Sequence, residues 1–441
     1  MIDTLKQILT LGLIFPIVVI VGGYFSYQLR FLQVTKLFRA ARLVTTKERA
    51  GAISSFGAMA AILGGNLGTG NISGVAMAIM SGGPGALFWM WVMAILASIT
   101  KYVGCFLGVH FQQKNKQGEW EGGPMFYLRD GLNNKWLAYA FCFFTMTSAL
   151  TVGNLVQVHA LSLPINDLEF HPLVFGLIMA FFVGGVIFGG LKRFSHVVQA
   201  LVPMMAIAYV GTCFVVLFIF RNSIVSSIEL IVTSAFDVRP MASGALGFGI
   251  LYAIRSGFDR GLFATDSGLG LAPILHGAVY DPSTHHDNRH TQGLISVLSP
   301  MIVMVVCSVT GLVLITTGAY QHGDLSSTTM CMEAFRLGFQ ASWAGHIVSV
   351  TLFFFAFTTI LTWCFCAQRA CEFWLGQKAI KPFQVLFIAM IPCGVYIHEA
   401  VVWTVADIST NLMFIINMIG VVGLSRMVIN TYRRSLFKPT K

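Results

Sequence analysis

Charge is what this sequence has least of. Asp, Glu, Lys and Arg together make up 10% of its 441 residues. An ordinary soluble domain carries roughly a quarter, so a soluble domain is excluded. Acidic residues are the scarcer kind, 18 against 28 Lys and Arg, which leaves a formal net charge of +10. Catalytic motifs are missing too: there is no HExxH, Walker A or GxSxG pattern, and no nucleophile–base constellation stands out. There is no CxxC spacing either. The nine cysteines are odd in number and lie mostly inside apolar segments, so they read as packing residues, not a disulfide or metal framework.

Apolar residues fill the space that charge leaves. They make up 56% of the chain, and the mean hydropathy is +0.75, as in polytopic membrane proteins. About 20 apolar residues cross a bilayer. On that measure spans fall near 8–29, 50–80, 85–110, 136–161, 171–190, 196–220, 243–275, 293–317, 343–370, 383–398 and 401–428. The first is followed by a basic loop and reads as a retained span. The fold class is therefore an all-α polytopic membrane protein of about eleven transmembrane helices.

Lys and Arg set the expected orientation. With those spans, 21 of the 28 fall on one side, six of them in loop 30–49 and five after residue 425. By the positive-inside rule that side is cytoplasmic and the N-terminus lies outside. The basic balance follows from this topology and needs no nucleic-acid partner.

The chain is organised around Gly64-Gly65-Asn66-Leu67-Gly68-Thr69-Gly70-Asn71, which has four glycines in its first seven residues. Each glycine weakens a helix by about 1 kcal/mol against alanine, so the second span is expected to unwind at bilayer depth. Unwound backbone is tolerated there only where protein buries it or a cavity hydrates it. Two other readings compete. Gly64/Gly68 and Gly70/Gly74 have the four-residue spacing of closely packed membrane helices. A dinucleotide loop is the weaker rival, because its third glycine would come one place too late and no strand precedes it.

Setting aside the first span, ten remain, five near 50–220 and five near 243–428. An odd number per half turns the halves over relative to each other. The first helix of each is overlong and interrupted, by the glycine stretch in one and by Ser256-Gly257-Phe258-Asp259-Arg260-Gly261 in the other. Paired interruptions in inverted halves point to a transporter binding site. The expected organisation is a helix and basic loop at 1–49, five-helix repeats at 50–220 and 243–428, and a basic tail at 429–441.

The residues suggest a chemistry. A half-helix starting at Asn71 would aim its positive end at a carboxylate, and free carbonyls near Gly64 and Leu67 would suit a cation. Thr358 and Thr359 are adjacent hydroxyls in an apolar span, where threonines commonly bond back to their own helix. Trp363 lies one turn on from Thr359 and either roofs a small pocket or packs. Gln157 either joins helices or faces a cavity. Asp259, Arg260 and Asp266 are intramembrane charges, functional candidates or a structural ion pair. His285, His286 and His290 read as a solvated loop, with a three-His metal site as the alternative.

Several stretches resemble the sodium:alanine/glycine symporter family. They are Gly68-Thr69-Gly70-Asn71-Ile72-Ser73-Gly74, Gly82-Gly83-Pro84-Gly85 through Trp91, Gly122-Gly123-Pro124-Met125, Gly153-Asn154-Leu155-Val156-Gln157, Arg260-Gly261-Leu262-Phe263, and Phe355-Ala356-Phe357-Thr358-Thr359 with Trp363. The resemblance implies a leucine-transporter-type core and sodium-coupled uptake of a small neutral amino acid, alanine or glycine. It implies substrate contacts from Gly68, Thr69, Gly70, Asn71, Gln157, Gly257, Phe258, Thr359 and Trp363. It also implies a co-transported sodium ion between Gly64, Leu67, Phe355, Thr358 and Thr359, an all-oxygen set suited to a hard cation.

The sequence departs from the family pattern in places. Ala264-Thr265-Asp266-Ser267-Gly268 replaces Ser-Asn-Glu-Ala-Gly, and Val103-Gly104 follows Lys101-Tyr102 where a Glu is usual. Ser299-Pro300 stands where Asp-Thr is usual, and Val158-His159 follows Gln157. The departures keep two rivals open: a proton-coupled carrier using Asp266 or His159, and a sensor that binds an amino acid without moving it.

Overall fold

Inside a bilayer every backbone N–H and C=O must find its partner within the protein, which favours helices. The computed structural model describes residues 12–44, 53–166, 171–237, 249–280, 288–322, 325, 327–396 and 399–436. Among them the only strands are Gln113–Lys114 and Trp120–Glu121, a short antiparallel hairpin. Among the described residues, helices fall within each of the expected spans. Among the described residues six helices are long and apolar enough to cross a membrane, including Gly85–His110, Gly190–Ile219 and Ser342–Leu375. The others are shorter or broken.

Local chemistry explains many boundaries. Ser54 caps helix Ser55–Asn66 by accepting from the Gly57 N–H at 3.0 Å, and Asn134 caps Lys135–Leu150 through the Leu137 N–H at 3.1 Å. Pro172 opens Pro172–Ile187 at a first-turn position, where its missing N–H costs nothing. Gly83 and Gly376, at φ 70° and 82°, end their helices in the left-handed region.

The first broken helix runs Ser55–Asn66, turns through Thr69–Asn71, and resumes as Ser73–Gly82. Its break starts later than the glycine stretch, since Gly64 and Gly65 are still helical. They serve close packing instead: a Cβ at Gly65 would stand 2.9 Å from Thr362 Cγ2.

The second break is not where the sequence placed it. Ser256 to Gly261 lie inside an unbroken helix, Ile250–Thr265. Packing outweighs the glycine penalty, because Gly257 lets this helix close onto the Ala86 carbonyl and Trp89, and Gly261 lets it close onto Met90 and Met93. The chain leaves the helix at Asp266, φ 47°, and passes Gly268 and Gly270 at φ 88° and 97° before Leu271–His276. Asn417 holds this turn by donating to the Gly268 carbonyl at 2.7 Å, and Tyr127 in turn donates to Asn417.

Some helices between and beyond the spans were not foreseen. Ile224–Ala235 and Ser327–Phe339 are helices, and Ser425–Leu436 and Leu37–Val44 are short helices beside basic loops. The fourth span, near 136–161, contains a wide turn at Thr151–Leu155, where the helix admits an extra residue. His285 and His286 lie outside the described residues. His290 belongs to helix Asn288–Ser296 and pairs with the Tyr102 hydroxyl at 2.8 Å. Among the described residues no His, Cys, Asp and Glu group could hold a metal ion. The nine cysteines are free thiols, eight of them buried.

Candidate functional site

The site forms where helix Gly345–Leu375 passes the first break. Thr359 Oγ1 donates to the Gly64 carbonyl at 2.9 Å. Thr358 Oγ1 lies 3.3 Å from the same carbonyl and 3.1 Å from the Phe355 carbonyl. It also sits 3.2 Å from the Phe354 carbonyl, so the back-bonding common for membrane threonines is present too. Thr362, one turn on, donates to the Ala61 carbonyl at 3.1 Å. Gly64, Phe355, Thr358 and Thr359 thus meet as a neutral cluster of oxygens. Leu67 follows directly after the helix that ends at Asn66.

Beside this corner lies a second polar one. The Thr69 N–H donates to Gln157 Oε1 at 3.2 Å, and Gln157 Nε2 donates to the Val152 carbonyl at 3.1 Å. Gly68 faces both groups, since a Cβ there would stand 2.7 Å from Thr359 Oγ1 and 3.0 Å from Gln157 Oε1. Thr69 Oγ1 is buried and has no hydrogen-bond partner among the described residues. The Asn71 side chain donates to the Asn66 carbonyl and accepts from Cys307 Sγ at 3.2 Å. Trp363 is buried and packs against Gly153, in the turn that carries Gln157's helix.

Two expected substrate contacts are not brought to this place. Gly257 packs on Ala86 and Trp89, and the Phe258 ring meets Phe15 at 4.6 Å between centroids. Ile250–Thr265 stays helical through both, so they face the neighbouring helices rather than the first break. From that helix it is Phe263 and Ala264 that lie against Gly70.

The two breaks are joined at one atom. The Thr265 carbonyl, at the end of Ile250–Thr265, accepts from Asn66 Nδ2 at 3.0 Å and from Lys101 Nζ at 2.8 Å. Lys101 Nζ also donates to Ser299 Oγ at 2.9 Å. Lys101 and Asp266 are both buried and interact electrostatically. Lys101, Asn66, Thr265, Thr362 and Phe263 were missed as site residues. For Lys101 the signal was visible: an ammonium inside an apolar span.

At one end of the bundle the hairpin bridges two helices. Arg369 pairs with Glu121, with Glu119 at 2.7 Å and with Glu372 at 3.1 Å. Trp120 stacks on Tyr280 at 4.3 Å. A cavity of about 140 Å³ opens beside Arg369, lined also by Glu119, Phe194 and Phe365. The Glu121 carboxyl is held up at about 7, chiefly by burial, a value net of the two opposing charges beside it. Arg369 pulls it down and Glu372 pushes it up.

Residues 1–438 match the sodium:alanine symporter family. The chain belongs to that family. It is a multi-pass membrane transporter of the amino-acid class and not an enzyme. An uncharacterized transporter of Haemophilus influenzae is 38% identical over 422 residues, covering 94% of this chain and 91% of that one. The sodium/alanine symporter AgcS of Methanococcus maripaludis is 34% identical over 422 residues, covering 93% and 91%. Among solved structures, MhsT in complex with L-phenylalanine superposes with a TM-score of 0.61 at 12% identity, covering 85% of this transporter and 90% of MhsT. That likeness speaks for the fold: a leucine-transporter-type core with two broken helices.

Proposed function

We propose that this transporter imports a small neutral amino acid, alanine or glycine, coupled to sodium, by rocking the two broken helices against the remaining helices. The observation that carries the reading is the Gly64 carbonyl, shared by the Thr358 and Thr359 hydroxyls next to the start of the turn at Thr69. Sodium would lie among the oxygens of Gly64, Leu67, Phe355, Thr358 and Thr359. The substrate carboxylate would meet the N–H groups of Gly68 to Asn71 and the Gln157 side chain. The tight approach of Gly68 to Thr359 and Gln157 favours a small side chain. The sodium/alanine name of the Methanococcus relative agrees with this. The N-terminus is outside and the tail beyond Arg426 is cytoplasmic, in keeping with the basic side.

Proton coupling is the second reading, favoured by the buried Lys101 and Asp266 between the broken helices. The test is uptake of labelled alanine into proteoliposomes under a sodium gradient or a pH gradient alone, with other amino acids as competitors. Sodium-driven uptake suppressed by glycine is expected. Uptake that follows only the pH gradient would overturn the sodium reading, and binding without uptake would leave a sensor.

A further inference from the structure

Lys101 is 2% exposed in the middle of helix Gly85–His110. A charged side chain in such a place is costly and persists when its partners compensate it. Its partners are all oxygens: the Thr265 carbonyl at 2.8 Å and Ser299 Oγ at 2.9 Å. Asp266 supplies the opposite charge. The Asp266 carboxylate is 4% exposed, and its Oδ2 has no hydrogen-bond partner among the described residues. The other titratable groups facing this pair are Cys105 on Lys101's own helix, His276 on Leu271–His276 and Cys366 on Gly345–Leu375.

A carbonyl, a hydroxyl and a nearby carboxylate are the donor types a hard cation takes. Here the cation is the end of a side chain. It sits where the two broken helices touch, because the Thr265 carbonyl that receives Lys101 also receives Asn66.

We propose that the Lys101 ammonium is a built-in cation at the joint of the two broken helices, a positioning residue that fills a place a free sodium ion would otherwise occupy. The proposal rests on the sodium-coupled reading above. It adds that the joint needs no mobile ion, because Lys101 already brings a positive charge to the neighbourhood of Asp266 and holds the Thr265 carbonyl. Shortening Lys101 would leave Thr265, Ser299 and Asp266 in need of a cation, and sodium in solution would supply it. Removing the Asp266 charge at the same time would remove that need.

The experiment uses the full chain in proteoliposomes, with alanine uptake measured against sodium concentration for the parent, Lys101→Ala, Lys101→Arg, and the double variant Lys101→Met with Asp266→Asn. In Lys101→Ala the Hill coefficient for sodium should rise by about one and the half-saturating sodium by about tenfold. The alanine KM at saturating sodium should move less than about threefold. Lys101→Arg and the double variant should keep the parental coefficient even where their maximal rate falls. A merely structural lysine would lower the rate of Lys101→Ala without steepening its sodium curve, and that result overturns the proposal. If Lys101→Ala is not monodisperse after purification, the other two variants decide, and a raised coefficient in either overturns the proposal. A parent without sodium dependence would defeat the coupling reading itself. A sodium-dependent parent with an unchanged Lys101→Ala curve defeats only this inference.

Discussion

Asn66 donates its side-chain amide to the Thr265 carbonyl at 3.0 Å, across 199 residues of sequence. The bond ties the end of one half-helix to the end of another, so it couples the two halves of the chain where both have unwound. Asn66→Ala should cost about 1 kcal/mol of stability and lower uptake more than that loss alone implies. Asn66→Asp should be worse, since it sets an acceptor against a carbonyl. Thermal unfolding in detergent beside uptake measures both. An Asn66→Asp protein with parental uptake would show that the two breaks work independently.

Gly68 and Gly74 should respond oppositely to the same change. Gly68 has φ −117°, which any residue can adopt, so only space opposes a side chain. A Cβ there would press on Thr359 and Gln157, whereas at Gly74 the nearest atom, the Thr69 carbonyl oxygen, is 3.9 Å away. Gly68→Ala should abolish alanine uptake in a folded protein, and Gly74→Ala should keep most of it. Equal losses would mean that this stretch serves packing alone.

Thr358 and Thr359 both reach Gly64, but Thr359 also faces Gly68. Thr358→Ala should raise the sodium needed for half-maximal uptake and leave the alanine KM at saturating sodium nearly unchanged. Thr359→Ala should raise both. Each lost contact is worth about 1–3 kcal/mol if it leaves a buried partner unsatisfied. Identical behaviour of the two variants would merge the ion and substrate corners into one.

Glu121 gives the hairpin a pH response. Burial holds its carboxyl at about 7, above the ordinary 4.5. Between those values the folded chain binds a proton that the unfolded chain does not, so the contribution of this residue to stability grows as pH falls through about 7 and is lost as pH rises again. Glu121→Gln should flatten the dependence of the unfolding temperature on pH between about 5 and 8. A variant with the parental slope would place the titrating group elsewhere.

The sequence showed the helices well because length and apolarity define a span, and both are local. It showed the first break because its glycines and small polar residues lie together. It misplaced the second break because glycine has two uses. At Gly257 and Gly261 it admits a neighbouring helix, whereas at Gly268 and Gly270 it supplies a left-handed turn. Only the partner helix Gly85–His110 tells the two uses apart. Thr358 and Thr359 stood out as hydroxyls in an apolar run. Asn66 and Thr265 did not, because their meaning lies in a contact between distant segments. Gly257 and Phe258 were drawn in by the resemblance, and their side of the helix turned out to face Trp89 and Phe15.

The close approach at Gly122 has a mechanical meaning. Gly122 lies directly against the Gly108 carbonyl and Gly277. Three backbones meet there with no side chain between them to act as padding. Such a contact has no slack, so the hairpin and the C-terminal end of Leu271–His276 are geared together, and the Trp120–Tyr280 stack keeps them in mesh. The seam expected to part during transport is then the other flank, between Glu119 and Glu121 of the hairpin and Arg369 on helix Gly345–Leu375. A reducible thiol cross-linker between Glu119→Cys and Glu372→Cys should stall uptake until it is cleaved, whereas one between Trp120→Cys and Tyr280→Cys should leave the carrier turning. The opposite pattern would move the parting line to the other side of the hairpin.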